Sequence, residues 1–243
     1  MLRGVVTTGG RVDVAFAGVL ETPTKALAPF GAGVLLDVVI AALRGAGITE
    51  IAVVGGTDVA AHLTGTGIRV IPADADGSEN VLRALDAWPD GDLVYAACDV
   101  PFIDASSVRA FLEASAGYDL TMPLAEGAAY EAAYPGASAH VTAIGDARVA
   151  NGSIFFISAA GRPAIRRLAG AFFRARKSLF AMARLLGPAL LVRFLVRRLR
   201  IGDVERRAQT ILGVRAAGIR DASPALCYDI DSLEDYRYAC ARR

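Results

Sequence analysis

Two kinds of apolar pattern alternate along the chain. Short unbroken runs at Ile51-Ala-Val-Val54, Leu93-Val-Tyr-Ala-Ala-Cys98 and Ile154-Phe-Phe-Ile157 stop abruptly at polar residues or glycine, as strands buried on both faces do. Between them, Val34–Leu43, Val59–Leu63, Glu79–Trp88, residues 108–116 and Leu233–Ala241 carry helical periodicity. Further strands are expected from Leu2, at Arg69–Ile71, at Asp119–Pro123 and, last, near Leu226–Asp231. This alternation predicts an α/β fold: a mostly parallel sheet with crossover helices on both faces. Ligand sites in such a fold lie beyond the carboxyl ends of the strands.

The punctuation between these elements supports the same order. Residues 12–24 read as irregular, with Pro23 fixing the approach to Lys25, and Pro29-Phe30-Gly31 turns the chain into the first long helix. Asp104 precedes Ser106 and Ser107 as an N-cap, and Ser232 caps the last helix. The glycine- and alanine-rich stretch 125–150 has a weak pattern and is expected to supply a strand or hairpin over the pocket. Residues 163–213 differ: arginines such as Arg166, Arg193, Arg197, Arg198 and Arg207 interleave with Phe172, Leu190, Phe194 and Leu195 at helical spacing, and Gly187-Pro188 separates at least two helices. The reading is one domain, 1–243, with an arginine-rich helical insertion at about 163–213 before the last strand. Its apolar positions are expected to pack on the sheet and its arginines to face solvent. Membrane-surface attachment and grip on an anionic substrate remain alternatives.

Composition narrows the class. A net charge of +1 from 26 basic and 25 acidic residues gives no reason to expect a nucleic-acid partner. Three cysteines, Cys98, Cys227 and Cys240, lack metal-ligand spacing, and Cys98 reads as a buried thiol, which fits a reducing, cytoplasmic setting. No signal-peptide core of the usual length opens the chain, and its apolar runs are cut short of the ~18 residues a spanning helix needs. Oligomeric state is left open.

Candidate chemistry gathers where strands end. The first strand empties into Gly9-Gly10-Arg11, a glycine-rich turn whose bare N–H groups can cradle phosphate, although such turns also occur without a ligand. Lys25 is one of two lysines beside 24 arginines, which suits a site that needs a compact point charge, although two lysines can also fall where they do by chance; read as an exposed loop cation, its removal should spare folding. Asp99 ends a buried strand where a cation bridging phosphates would be held, or it caps the next turn. Asp231, with Asp229 as substitute, is the second candidate ligand. His140 is more simply a surface or half-buried polar residue than a catalyst. Asn151-Gly152 is either a plain turn or the rim of a substrate pocket.

Four islands in order resemble nucleotidyltransferases of the molybdenum-cofactor guanylyltransferase-like, or nucleotide-diphospho-sugar transferase, type. They are Thr7-Thr8-Gly9-Gly10-Arg11 with Lys25-Ala-Leu-Ala-Pro29-Phe-Gly31, then Cys98-Asp-Val-Pro-Phe102, then Asn151-Gly-Ser153, then Asp229-Ile-Asp-Ser-Leu-Glu-Asp235. Thr7-Thr8 replaces a usual Leu-Ala, and the gap from Gly10 to Lys25 is longer than in compact members. The resemblance implies a Rossmann-like three-layer sandwich and transfer of a nucleoside monophosphate from a nucleoside triphosphate to an anionic small-molecule acceptor, with release of pyrophosphate. It further implies that Thr8, Gly9, Gly10 and Arg11 hold the phosphates and that Lys25 stabilises the α-phosphoryl group. Asp99 and Asp231 would hold Mg2+, Asn80 would touch the base or sugar, and Asn151 and Gly152 would line the acceptor side. A non-catalytic nucleotide-binding member and a metal-dependent glycosyltransferase are the alternatives.

Overall fold

The computed structural model describes all residues except 9–11, 13, 21, 139, 176–186 and 243. Its strands are β1 (Leu2–Thr7), β2 (Pro29–Phe30), β3 (Gly33–Val34), β4 (Ile51–Gly55), β5 (Arg69–Pro72), β6 (Asp92–Ala97), β7 (Leu120–Glu126), β8 (Val141–Ile144), β9 (Ala147–Asn151), β10 (Ile154–Ile157) and β11 (Ala216–Ile219). The main sheet runs β5–β4–β1–β6–β10–β7, with β11 also on β7 and the β8–β9 hairpin extending it. β5, β4, β1 and β6 are mutually parallel, and β10 enters antiparallel between β6 and β7.

Alternate residues of the central strands feed two cores, which gives the Rossmann-like α/β layering. Val6 and Val53 pack with Leu36, Val39 and Leu43 of the helix Leu35–Gly45, while Val5, Ala52 and Val54 pack with Ala84 and Ala87 on the other face. All five residues of β4 are buried, which is why its sequence is an unbroken apolar run. Asp104 caps its helix by accepting from the N–H groups of Ser106 and Ser107, and Ser232 caps Leu233–Ala241 by accepting from that of Asp235.

Three expectations need correction. A helix, Val14–Leu20, occupies part of the stretch read as irregular, and its Phe16 and Leu20 are buried. The last strand is Ala216–Ile219, whose Ala-Ala-Gly-Ile sequence carries little strand signal. Leu226–Asp231 is no strand: Pro224–Leu226 forms a 3-10 turn, and the following residues are apolar because Cys227, Tyr228 and Ile230 are buried. The third concerns the arginine-rich region, where helices Arg162–Ala175, Pro188–Leu195 and Ile201–Leu212 are described between β10 and β11. Ala164, Ala169 and Leu212 pack inward as expected, but Pro188–Leu195 buries none of its residues, and Val192, Phe194, Leu195 and Val196 are exposed.

Asn151-Gly152-Ser153 forms a bulge. β9 and β10 pair with β7 in registers that differ by two residues, and the excess falls at Gly152 and Ser153. Gly152 is buried there, and a Cβ would come within 2.3 Å of the Leu226 carbonyl oxygen, so only glycine fits. The bulge turns the Ser153 hydroxyl to donate to Asp229 Oδ2 at 3.3 Å.

Candidate active site

Beyond the carboxyl ends of β1 and β6 a lysine meets two carboxylates, Asp99 and Asp231. Lys25 opens a 3-10 turn, Lys25–Leu27, anchored by a hydrogen bond from the hydroxyl of Thr24 to the Asp58 carboxylate. Lys25 is 9% exposed, and its ammonium donates to Asp99 Oδ2 at 2.9 Å and to the Ile230 carbonyl at 2.5 Å, with Asp231 Oδ1 at 3.9 Å. Burial pushes the ammonium down, but the charge and hydrogen bond of Asp99, helped by Asp231, push it further up. Lys25 is therefore a fixed cation. The reading of it as an exposed loop residue is corrected: it is a buried, paired one.

The carboxylates arrive by separate routes. Asp99 follows β6 and its own carbonyl accepts from the Ile230 N–H at 3.0 Å, which ties residues 229–231 to that strand end. Its Oδ1 is buried without a hydrogen-bond partner among the described residues. Asp229 is held by Ser153 and lies 3.5 Å, Oδ1 to Nδ1, from His140. Burial first, then the charges of Asp99 and Asp231, push its carboxyl up to about 6. Ligand atoms of His140, Asp229 and Asp231 all lie within 4.8 Å of one another. The three converging ligand atoms of His140, Asp229 and Asp231 fit a divalent cation by the chemistry of the donors, and the buried Asp99 Oδ1, outside that trio, lacks a donor among the described residues.

Other candidates are placed differently. Thr8 is buried with its hydroxyl on the Val54 carbonyl at 2.9 Å, so it fastens β1 to β4. Asn80 is buried, accepting from the Asp74 N–H at 2.6 Å and donating to the Asp74 carbonyl at 2.9 Å; its amide shapes the loop before its helix. Asn151 is exposed at the end of β9, and Gly152 serves the bulge. Gly9, Gly10 and Arg11 lie outside the described residues. His140 and Ser153 are additions to the group. Ser153 was visible only as part of a turn, and His140 stands in a stretch without clear periodicity, so its neighbours follow from the fold alone.

A hypothetical transferase from Thermus thermophilus is similar over 97% of this chain and 99% of its own, at 26% identity and a TM-score of 0.81. A CMP:2-keto-3-deoxy-manno-octonic acid synthetase complexed with CTP shares the fold at 15% identity and a TM-score of 0.58, over 99% of this chain and 97% of its own. So does a 2-C-methyl-D-erythritol 4-phosphate cytidylyltransferase, also from Thermus thermophilus, at 17% identity and a TM-score of 0.53, over 98% and 96%. No curated protein sequence matches the chain. The pattern of the MobA-like NTP transferase domain matches residues 19–189, a span that includes Lys25 and Asp99, and the chain belongs to that family of nucleotidyltransferases.

Proposed function

We propose that the chain transfers the nucleoside monophosphate of a nucleoside triphosphate to a phosphorylated small-molecule acceptor and releases pyrophosphate. The observation that carries this reading is the buried Lys25 ammonium pinned to Asp99 and facing Asp231, which converges with Asp229 and His140, at the carboxyl edge of the sheet. In-line attack on the α-phosphorus builds negative charge on its oxygens, so fixed positive charge and positioning supply most of the rate. Lys25, already desolvated and fixed by two hydrogen bonds, would meet the α-phosphoryl oxygens with little reorganisation. A divalent cation, Mg2+ on the family resemblance, would be held by Asp99 with Asp229 or Asp231 and would neutralise phosphate charge. The Gly9-Gly10-Arg11 loop would take the remaining phosphates. No general base is needed when the acceptor is itself a phosphate anion. The test is pyrophosphate release from each of the four nucleoside triphosphates with a panel of phosphorylated sugars, alditols and lipid phosphates. Release with at least one pair, lost in Asp99→Asn, is expected; no release from any pair favours a non-catalytic member, and sugar transfer from a sugar nucleotide favours a glycosyltransferase.

An open cleft of about 1200 Å³ lies between the β8–β9 turn and the arginine-rich helices; no residue of the Lys25–Asp99 group lines it, and we assign to it the electrostatic capture of the anionic acceptor, not its seat at the α-phosphorus. Arg193, Arg197, Arg198, Arg200, Arg206 and Arg220 line it; Asp203 occupies Arg193 and Arg206, at 2.7 and 2.5 Å. A cleft so lined would draw in an anion over about a Debye length, ~8 Å at physiological salt. Neutralising Arg193, Arg197 and Arg198 together is expected to raise acceptor KM several-fold at low salt and little at high salt, with nucleotide affinity unchanged. Loss of nucleotide affinity alone would place the helices on the other substrate, and loss of binding to anionic vesicles would identify the acceptor's lipid surface as what they meet.

A further inference from the structure

The Nε2 atom of the half-buried His140 and Oδ1 of the buried Asp235 are two buried polar atoms that face each other without a hydrogen bond. The imidazole Nε2 and Asp235 Oδ1 are 3.6 Å apart, and among the described residues neither atom has a hydrogen-bond partner. Asp235 is 2% exposed, and its other oxygen is fully used, accepting from the N–H groups of Asp231 and Ser232 and from the Ser232 hydroxyl at 2.7 to 3.2 Å. Oδ1 is thus left facing the ring, with the Ser138 side chain also acting on this carboxylate. The imidazole itself is walled by Tyr130 and Tyr228, with centroids at 6.2 and 5.5 Å. Its other nitrogen, Nδ1, emerges beside Asp229 Oδ1 in the cluster with Asp231.

A carboxylate behind one imidazole nitrogen and a ligand cluster before the other is the arrangement that fixes a metal-ligating histidine. The carboxylate accepts the far N–H, which sets the tautomer and leaves the near nitrogen's lone pair for the ion. We infer that His140 is a metal ligand through Nδ1, with Asp235 as its positioning residue, and that the site takes a transition-metal divalent cation in preference to Mg2+. Mg2+ keeps oxygen ligands and water, whereas imidazole suits ions further along the first-row series. A small movement of the ring brings Nε2–H within bonding distance of Asp235. The same Asp235 holds the Asp231 backbone, so one buried carboxylate sets two members of the cluster. This inference rests on the proposed nucleotidyl-transfer site and names the ion that the site selects.

The experiment titrates chelator-treated protein, without nucleotide, with Mn2+ and separately with Mg2+, following thermal unfolding and, for Mn2+, pulsed EPR. Wild type is expected to bind Mn2+ about tenfold or more tightly than Mg2+ and to show nitrogen modulation from a directly bound imidazole. His140→Gln is expected to lose that modulation and about tenfold in Mn2+ affinity, with Mg2+ affinity within about twofold of wild type. Asp235→Asn is expected to lose roughly 10- to 100-fold in Mn2+ affinity, the range for such supporting groups. Because Asp235 also caps the last helix, His140→Gln decides if that variant unfolds. Equal Mn2+ and Mg2+ affinity in wild type, absent nitrogen modulation, or wild-type Mn2+ binding by His140→Gln overturns the inference. Pyrophosphate release measured in parallel with Mg2+ judges the transfer reading separately.

Discussion

Lys25→Ala is expected to lower turnover by about 100- to 1000-fold, since single electrostatic donors aimed at transition-state charge contribute roughly 2.7 to 4 kcal/mol. Stability should fall as well. The side chains of Lys25 and Asp99 are only 11% and 16% exposed, and the substitution strands the Asp99 carboxylate and the Ile230 carbonyl without their donor. Removing one partner of a buried pair typically costs about 3 to 5 kcal/mol. Initial rates taken at a temperature where the variant remains folded separate the two effects, and urea unfolding measures the second. Turnover within about threefold of wild type would remove Lys25 from the chemistry. Unchanged unfolding would show that the ion pair is not the clamp its geometry implies.

Asp229→Asn is expected to stabilise the metal-free protein at neutral pH while abolishing its response to metal. With its carboxyl at about 6 in the folded state against 3.8 in its ordinary state, Asp229 is favoured in the protonated form by folding. Its contribution is therefore fully present below about pH 4 and is lost as pH rises through about 6. At about 1.4 kcal/mol per pH unit, the ionised carboxylate costs the folded state roughly 3 kcal/mol above that window. Unfolding of chelator-treated protein from pH 4 to 8 should show this decline in wild type and a flatter profile in Asp229→Asn. Divalent metal should restore stability at pH 8 to wild type only. A variant less stable than wild type at pH 8 without metal would mean that the three carboxylates are balanced by Lys25 and impose no strain.

The central strands and long helices were legible because they depend on burial alone. Ile51–Gly55 and Leu35–Gly45 bury what their periodicity says they bury, and Asp104 and Ser232 cap helices through residues two or three positions away. Ala216–Ile219 was not legible as the last strand, since its partner β7 supplies the pairing and its own side chains supply little. Lys25, Asp99 and Asp231 stood out by residue type at strand ends, and the fold brings them together. Thr8, Asn80 and Gly152 have the chemistry of ligand groups, yet the structure spends each on a backbone neighbour: Val54, Asp74 and Leu226. A sequence displays what a side chain offers and conceals what it already holds. His140 was hidden for the converse reason, since Asp229 and Asp235 reach it from the far end of the chain.

If Asp99 and its neighbours form a metal-dependent nucleoside triphosphate site, a bound triphosphate must raise the unfolding temperature only when a divalent cation is present. Each of the four triphosphates is added to chelator-treated protein with and without divalent cation, for wild type and for Asp99→Asn. At 100 times its dissociation constant a ligand stabilises by about 2.7 kcal/mol, which raises the unfolding temperature of a chain of this size by roughly 5 to 10 °C. Such a rise is expected for at least one triphosphate, only with the cation, and is expected to be lost in Asp99→Asn. A rise of equal size without cation, or one that Asp99→Asn retains, would contradict it.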